Sequence, residues 1–230
     1  LQPVTINGAT AGNLRVSGGG GTRVFDVSAP ATFAGFAIIN GNVAGDGGGI
    51  ASTGALTLTA MRFLNNSALS GGGVSAAGAT VIDGSQFDGN TAQYSGGGLQ
   101  ASQSLTVTAS QFLGNSASIG GGLAQYVGRA ALINTLFARN AATSTIGAGA
   151  FFESPEQQMI VNSTFAALGR SNASAIHVMD GTMVIANSIV ANHAFGIGAL
   201  ESEVMEGFNL FFDNGENMST SPCMFPLSLA

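Results

Sequence analysis

Apolar residues recur along the chain in short alternating runs, each broken by Gly, Asn or Ser. Leu56-Thr57-Leu58-Thr59 and Leu105-Thr106-Val107-Thr108 follow the two-residue period of a strand that buries one face. No stretch spaces apolar residues at i, i+3 and i+4 over three turns, so no amphipathic helix is predicted. The runs themselves repeat. Phe63-Leu64-Asn65-Asn66, Phe87-Asp88-Gly89-Asn90, Phe112-Leu113-Gly114-Asn115 and Phe137-Ala138-Arg139-Asn140 are each one Phe-x-x-Asn, spaced 24, 25 and 25 residues apart. A glycine cluster follows each of them: Gly71 to Gly73, Gly96 to Gly98, Gly120 to Gly122, and the looser Gly147-Ala148-Gly149. The frame extends back to Ile39-x-x-Asn42 and forward to Phe165 and Ile189-x-x-Asn192. The step from Phe137 to Phe165 is longer, at 28 residues, and predicts a small loop insertion.

A period this short cannot hold a strand, a crossover helix and a second strand. One coil of a solenoid per repeat fits it. The expected fold is all-β, a right-handed parallel β-helix of about nine coils with three short strands per coil, forming a single domain over 1–230. Residues 1–38 form the N-terminal coils, 39–200 the regular repeats, and 201–230 an acidic last coil and tail. Three inward ladders are predicted. One is Leu58, Ile82, Val107, Leu132, Ile160 and Val184. Another is the Phe column, and the third is Ile50, Val74, Leu99, Leu123, Ala150, Ile176 and Leu200. Asn suits a corner because it tolerates the left-handed backbone region, and stacked Asn66, Asn90, Asn115 and Asn140 can bond one another from coil to coil. Each coil needs its neighbours to bury its apolar residues, so the two ends are the weak points, and the tail from Ser219 to Ala230 is a candidate cap.

Composition narrows the class. Only 8% of residues are charged, the six basic residues are all Arg against twelve acidic ones, and 35 of 230 residues are Gly. A clustered basic face is absent, which argues against nucleic acid as a partner. No apolar run reaches the roughly 18 residues of a membrane-spanning helix, so no transmembrane segment is expected. Cys223 stands alone, which excludes an internal disulfide framework.

Repeats that pair Gly-Gly-x-aliphatic with Phe-x-x-Asn resemble those of the chlamydial polymorphic outer membrane proteins and related bacterial β-helix surface proteins. The resemblance covers about Ile39 to Asn192 and departs after Phe137, where the corner position of the Phe165 coil is Leu168. It implies a secreted or cell-surface protein of bacterial origin, displayed as an adhesin or passenger domain.

Many parallel β-helices act on polysaccharides, so chemistry must be sought in the residues. Asp83 and Asp88 flank the Phe87 turn, and their equivalents one coil away are Thr59, Leu64, Thr108 and Leu113, so no carboxylate pair for glycoside hydrolysis recurs. Arg129 and Arg139 lie in a carboxylate-free stretch, and His177 and His193 belong to different coils and read as outward or loop histidines. Glu201, Glu203 and Glu206 match no recognised cation loop. No catalytic residue, metal site or cofactor is expected. One outward face turns from polar to apolar along the stack, and Ile133, Phe151, Met159, Val161, Met183 and Ile185 form its candidate contact face. The expected function is a non-enzymatic extracellular adhesin, passenger or scaffold whose partner is a protein or glycan surface ligand, or copies of the chain itself. A self-assembling fibre subunit and a polysaccharide-active enzyme are the alternatives.

Overall fold

The computed structural model describes residues 2–9 and 13–220, which form a β-solenoid of stacked parallel coils; no helix occurs among the described residues. Nine residues line up in one column: Val16, Ile38, Phe63, Phe87, Phe112, Phe137, Phe165, Val190 and Phe211. The stack therefore completes about eight turns. The N-terminal strands join it in the same way: Val4–Asn7 pairs with Ala31–Ala34, and Phe25–Val27 with Ile50–Ser52. Residues 221–230, with Cys223 and most of the expected cap, lie outside the described residues.

Each regular coil has four strands where three were expected. One coil contributes Val74–Ala76, Thr80–Asp83, Gln86–Asp88 and Thr91–Ser95, each paired in parallel with the coils on both sides. The fourth strand builds a separate sheet with Ser67–Ser70, Ser116–Ile119 and Ala141–Ile146. Its buried residues are the small Ala68, Ala92, Ser95 and Ala117, too weakly apolar to register as a hydrophobic ladder.

The Phe column is fully buried from Phe63 to Phe165. Successive ring centroids are 4.8, 4.6, 4.7 and 4.6 Å apart, and the planes lie within 11° of parallel. That spacing is the distance between neighbouring strands, so identical side chains in identical rotamers stack face over face. The other inward ladders hold with shifts at their ends. Ile38 and Val190 occupy the Phe column in place of Ile39 and Ile189, Ile185 replaces Val184, and Ile197 replaces Leu200. Each of the first three is a slip of one residue, which in a strand exchanges inside for outside.

Positive φ is concentrated at coil corners, where one strand turns into the next. Asn65, Gly89, Gly114 and Arg139 adopt it immediately before the ladder asparagines, and Gly71, Gly96, Gly120 and Gly147 adopt it at the glycine clusters. The left-handed residue at the Asn corner is thus the one before the ladder asparagine, which leaves the ladder side chains free for another task. Asn66 Nδ2 donates to Asn90 Oδ1 at 2.9 Å, and the same bond recurs from Asn90 to Asn115 and from Asn115 to Asn140 at 3.0 Å. Each of these side chains also donates to a backbone carbonyl one coil back, as Asn115 does to Phe87 at 3.0 Å. In the glycine clusters, Gly96 supplies a φ of 63°. Gly97 serves close approach, because a Cβ there would sit 2.4 Å from the Gly121 carbonyl oxygen.

A second polar ladder went unread in the sequence. Ser85 Oγ accepts from the Met61 amide at 3.1 Å, Ser110 Oγ from Ser85, Ser163 Oγ from Thr135, and Ser188 Oγ from Ser163. Each of these side chains lies two residues before the Phe-column position and caps an amide that has turned inward at the corner.

Candidate contact surface and groove

On the strand that follows the glycine-rich side of each coil, two columns point outward. One runs Thr57, Val81, Thr106, Ala131, Met159, Val184 and Met205; the other runs Thr59, Asp83, Thr108, Ile133, Val161, Ala186 and Gly207. Threonines dominate the early coils, and aliphatic residues and methionine the later ones. Ile133, Met159, Val161, Val184 and Met205 are all half-buried, so they present apolar surface on a flat sheet face. Met183 and Ile185, expected here, instead point into the tube and are fully buried. The register pairs Met159 with Val184 and Ile160 with Ile185, so Val184 and Met205 continue the strip in their place.

Phe151 belongs to a different outward column, on Ala150–Glu153. Although outward, it is only 2% exposed, because Tyr126 packs edge-on against it at 5.8 Å and the His177 ring lies over it at 6.1 Å. Beyond His177 opens a groove of about 330 Å³, lined by Thr145, Ile146, Ser174, His177, Met179, Phe195, Gly198, Ala199, Leu200 and Ser219. The insertion anticipated between Phe137 and Phe165 helps to build it. Phe137 to Ala150 spans 13 residues against 11 from Phe112 to Leu123, and Ala141–Ile146 is accordingly the longest strand of the fourth sheet. At the floor, Gly198 makes room for the imidazole, since a Cβ there would lie 2.5 Å from His177 Nδ1. Burial lowers the His177 pKa, so the ring is neutral at neutral pH.

His193, expected on the outside, is inside the tube at the position that asparagine holds in earlier coils, and is 3% exposed. Its backbone N–H donates to Asn214 Oδ1 at 3.1 Å, the bond that joins successive ladder asparagines elsewhere. Nδ1 lies 3.2 Å from Ser171 Oγ, while Nε2 is buried without a hydrogen-bond partner. Burial pushes its pKa down to about 4.

The charged residues are dispersed. Asp83 accepts from Thr108 Oγ1 at 2.5 Å, and Asp88 from Gln86 Nε2 at 3.3 Å. Arg129, placed by sequence in a carboxylate-free stretch, pairs across coils with Glu156 at 3.3 Å on the exposed surface. Arg23 pairs with Asp26 at 2.6 Å and donates to the Asp46 and Gly47 carbonyls, fastening the first coils to the next. Among the described residues no three His, Cys, Asp or Glu side chains gather into a metal site, and no helix is long and apolar enough to cross a membrane. Comparison with protein families, curated proteins and solved structures finds no match to this chain.

Proposed function

We propose that this chain is a non-enzymatic, surface-displayed β-solenoid of bacterial origin, an adhesin or passenger segment of the kind represented by the polymorphic outer membrane proteins. The observation that carries the reading is the strip Ile133, Met159, Val161, Val184 and Met205. These residues form a contiguous apolar strip across two adjacent outward columns on the flat outer face of a sheet, where the early coils carry mostly threonine. Exposed contiguous apolar surface on a rigid scaffold is costly to keep in water and marks contact with another molecule. The partner is a protein or glycan of an opposing surface. The enzyme reading gains no support from Asp83 and Asp88, whose carboxylates bond a neighbouring threonine and glutamine.

The test presents the purified chain and its Val161→Glu variant to whole cells and to immobilised surface glycans. Saturable binding by the wild type that the variant loses supports the reading, whereas equal binding by both, or by neither, overturns it. A second reading, assembly of copies into a fibre, is favoured by Leu210 and Phe212 on the last described turn, 55% and 63% exposed. Sedimentation velocity across a concentration series, with negative-stain electron microscopy, separates the two. Monomers throughout exclude the fibre.

A further inference from the structure

The groove beside His177 lies on another side of the coil from the apolar strip and has its own chemistry. Its apolar lining comes from Ile146, Met179, Phe195 and Leu200, with the imidazole as floor. The floor is built: Phe151 and Tyr126 back the imidazole, and Gly198 clears the space it occupies. A volume of 330 Å³ lies at the small end of ligand pockets, which run roughly from 300 to 1,000 Å³, and holds one large apolar side chain.

Carboxylates frame the lining on opposite sides. Asp180 follows Met179 and Glu201 follows Leu200; both are exposed, and they take the same corner in successive coils with φ of 54° and 51°. Glu153 pairs with Met179 on the same side. Across the groove, the exposed Glu216 pairs with Phe195. Because His177 is held neutral by burial, the floor adds no positive charge to offset this rim. A lone amine satisfies only one side of such a frame; a chain with cations on both sides of an apolar anchor satisfies both.

We infer that the groove is a docking site for a basic polypeptide segment in which a large apolar side chain is flanked by Lys or Arg. The apolar side chain enters between Ile146 and Phe195 and the cations meet Asp180, Glu201 and Glu216. This goes beyond the display function proposed above and does not depend on it.

The experiment titrates fluorescein-labelled synthetic peptides into the intact chain and follows anisotropy. One peptide has phenylalanine flanked by lysines, a second replaces phenylalanine with serine, and a third replaces the lysines with glutamate. The first is expected to bind, and to weaken as salt is raised from 50 to 500 mM. Ile146→Arg, which places a cation in the groove, and the double reversal Asp180→Lys with Glu201→Lys are each expected to weaken it by roughly tenfold. Unchanged circular dichroism and urea midpoints confirm that the variants fold, and Val161→Glu is expected to bind the peptide like the wild type. Absence of binding, equal binding of the serine peptide, or affinity unaffected by Ile146→Arg overturns the inference. Loss of peptide binding in Val161→Glu does so too, by placing the site on the strip.

Discussion

The coils from Phe63 to Asn140 and those from Phe165 to Phe212 share one backbone plan but close their interiors differently. In the first group identical residues sit on identical residues. Four asparagines bond in series, and stacked phenylalanines fill the core. In the second group the column passes from Phe165 to Val190 to Phe211, Leu168 is 87% exposed, and the asparagine position is taken over by His193. A repeating interior satisfies its polar groups automatically, since each side chain finds its copy one coil away. A single departure breaks that economy, and the neighbouring groups must compensate. Here Ser171 answers one imidazole nitrogen and nothing answers the other.

The contrast can be tested within single columns. Phe112→Ala opens a void between two stacked rings and is expected to cost about 4 kcal/mol in urea unfolding, whereas Val190→Ala in the later coils costs nearer 2. The next effect is pH dependence. His193 has a folded pKa of about 4 against an unfolded value of about 6.5, so between these pH values the unfolded chain binds more protons. Its contribution to stability is complete above about pH 6.5 and falls away as the pH drops towards 4, by about 3 kcal/mol in all. Urea midpoints measured at pH 7.5 and 4.5 should diverge accordingly, and His193→Asn should remove most of that divergence. If the variant keeps the wild-type slope, the acid sensitivity arises elsewhere. Asn115→Ala leaves the Asn90 backbone N–H and one of its side-chain N–H groups without their acceptor, removes the donor to the Phe87 carbonyl inside the tube, and is expected to cost about 3 kcal/mol. The smallest effect is expected for Asn187→Gly: it breaks an Asn–Asn bond of 2.6 Å to Asn162 on the exposed corner, where water replaces the partner and glycine keeps the φ of 50°, and costs less than about 0.5 kcal/mol.

This contrast also explains what could be read from the chain alone. The Phe and Asn columns were legible because a large ring and a ladder-forming amide recur at one spacing. The serine ladder carried a comparable signal, a Ser or Thr two residues before each Phe from Phe87 to Phe165, and needed only the recognition that a corner amide wants an acceptor. The contact strip was half legible. Ile133, Met159 and Val161 stand in runs that are apolar throughout, and their phase follows from their distance to Phe137 and Phe165; Met183-Val184-Ile185-Ala186 is equally apolar, and the pair Ile189-Val190 offers two anchors, so nothing in it tells inside from outside. Its phase comes from pairing with Ile160, a step of 25 residues that brings Val190 and not Ile189 into the Phe column. The groove was beyond sequence reasoning, because Phe151, His177 and Phe195 come together only through outward stacking across three coils.

The hydrogen bonds that join coils run along the tube axis, since every strand is bonded to its equivalent one coil away. A pull on the two ends of the stack therefore loads those bonds lengthwise and one coil at a time, in the manner of a zipper and not of a shear joint. Each coil released pays out 21 to 28 residues of chain, or roughly 70 to 95 Å of slack. Under tension such a rod is expected to yield coil by coil and to lengthen many times over before it parts.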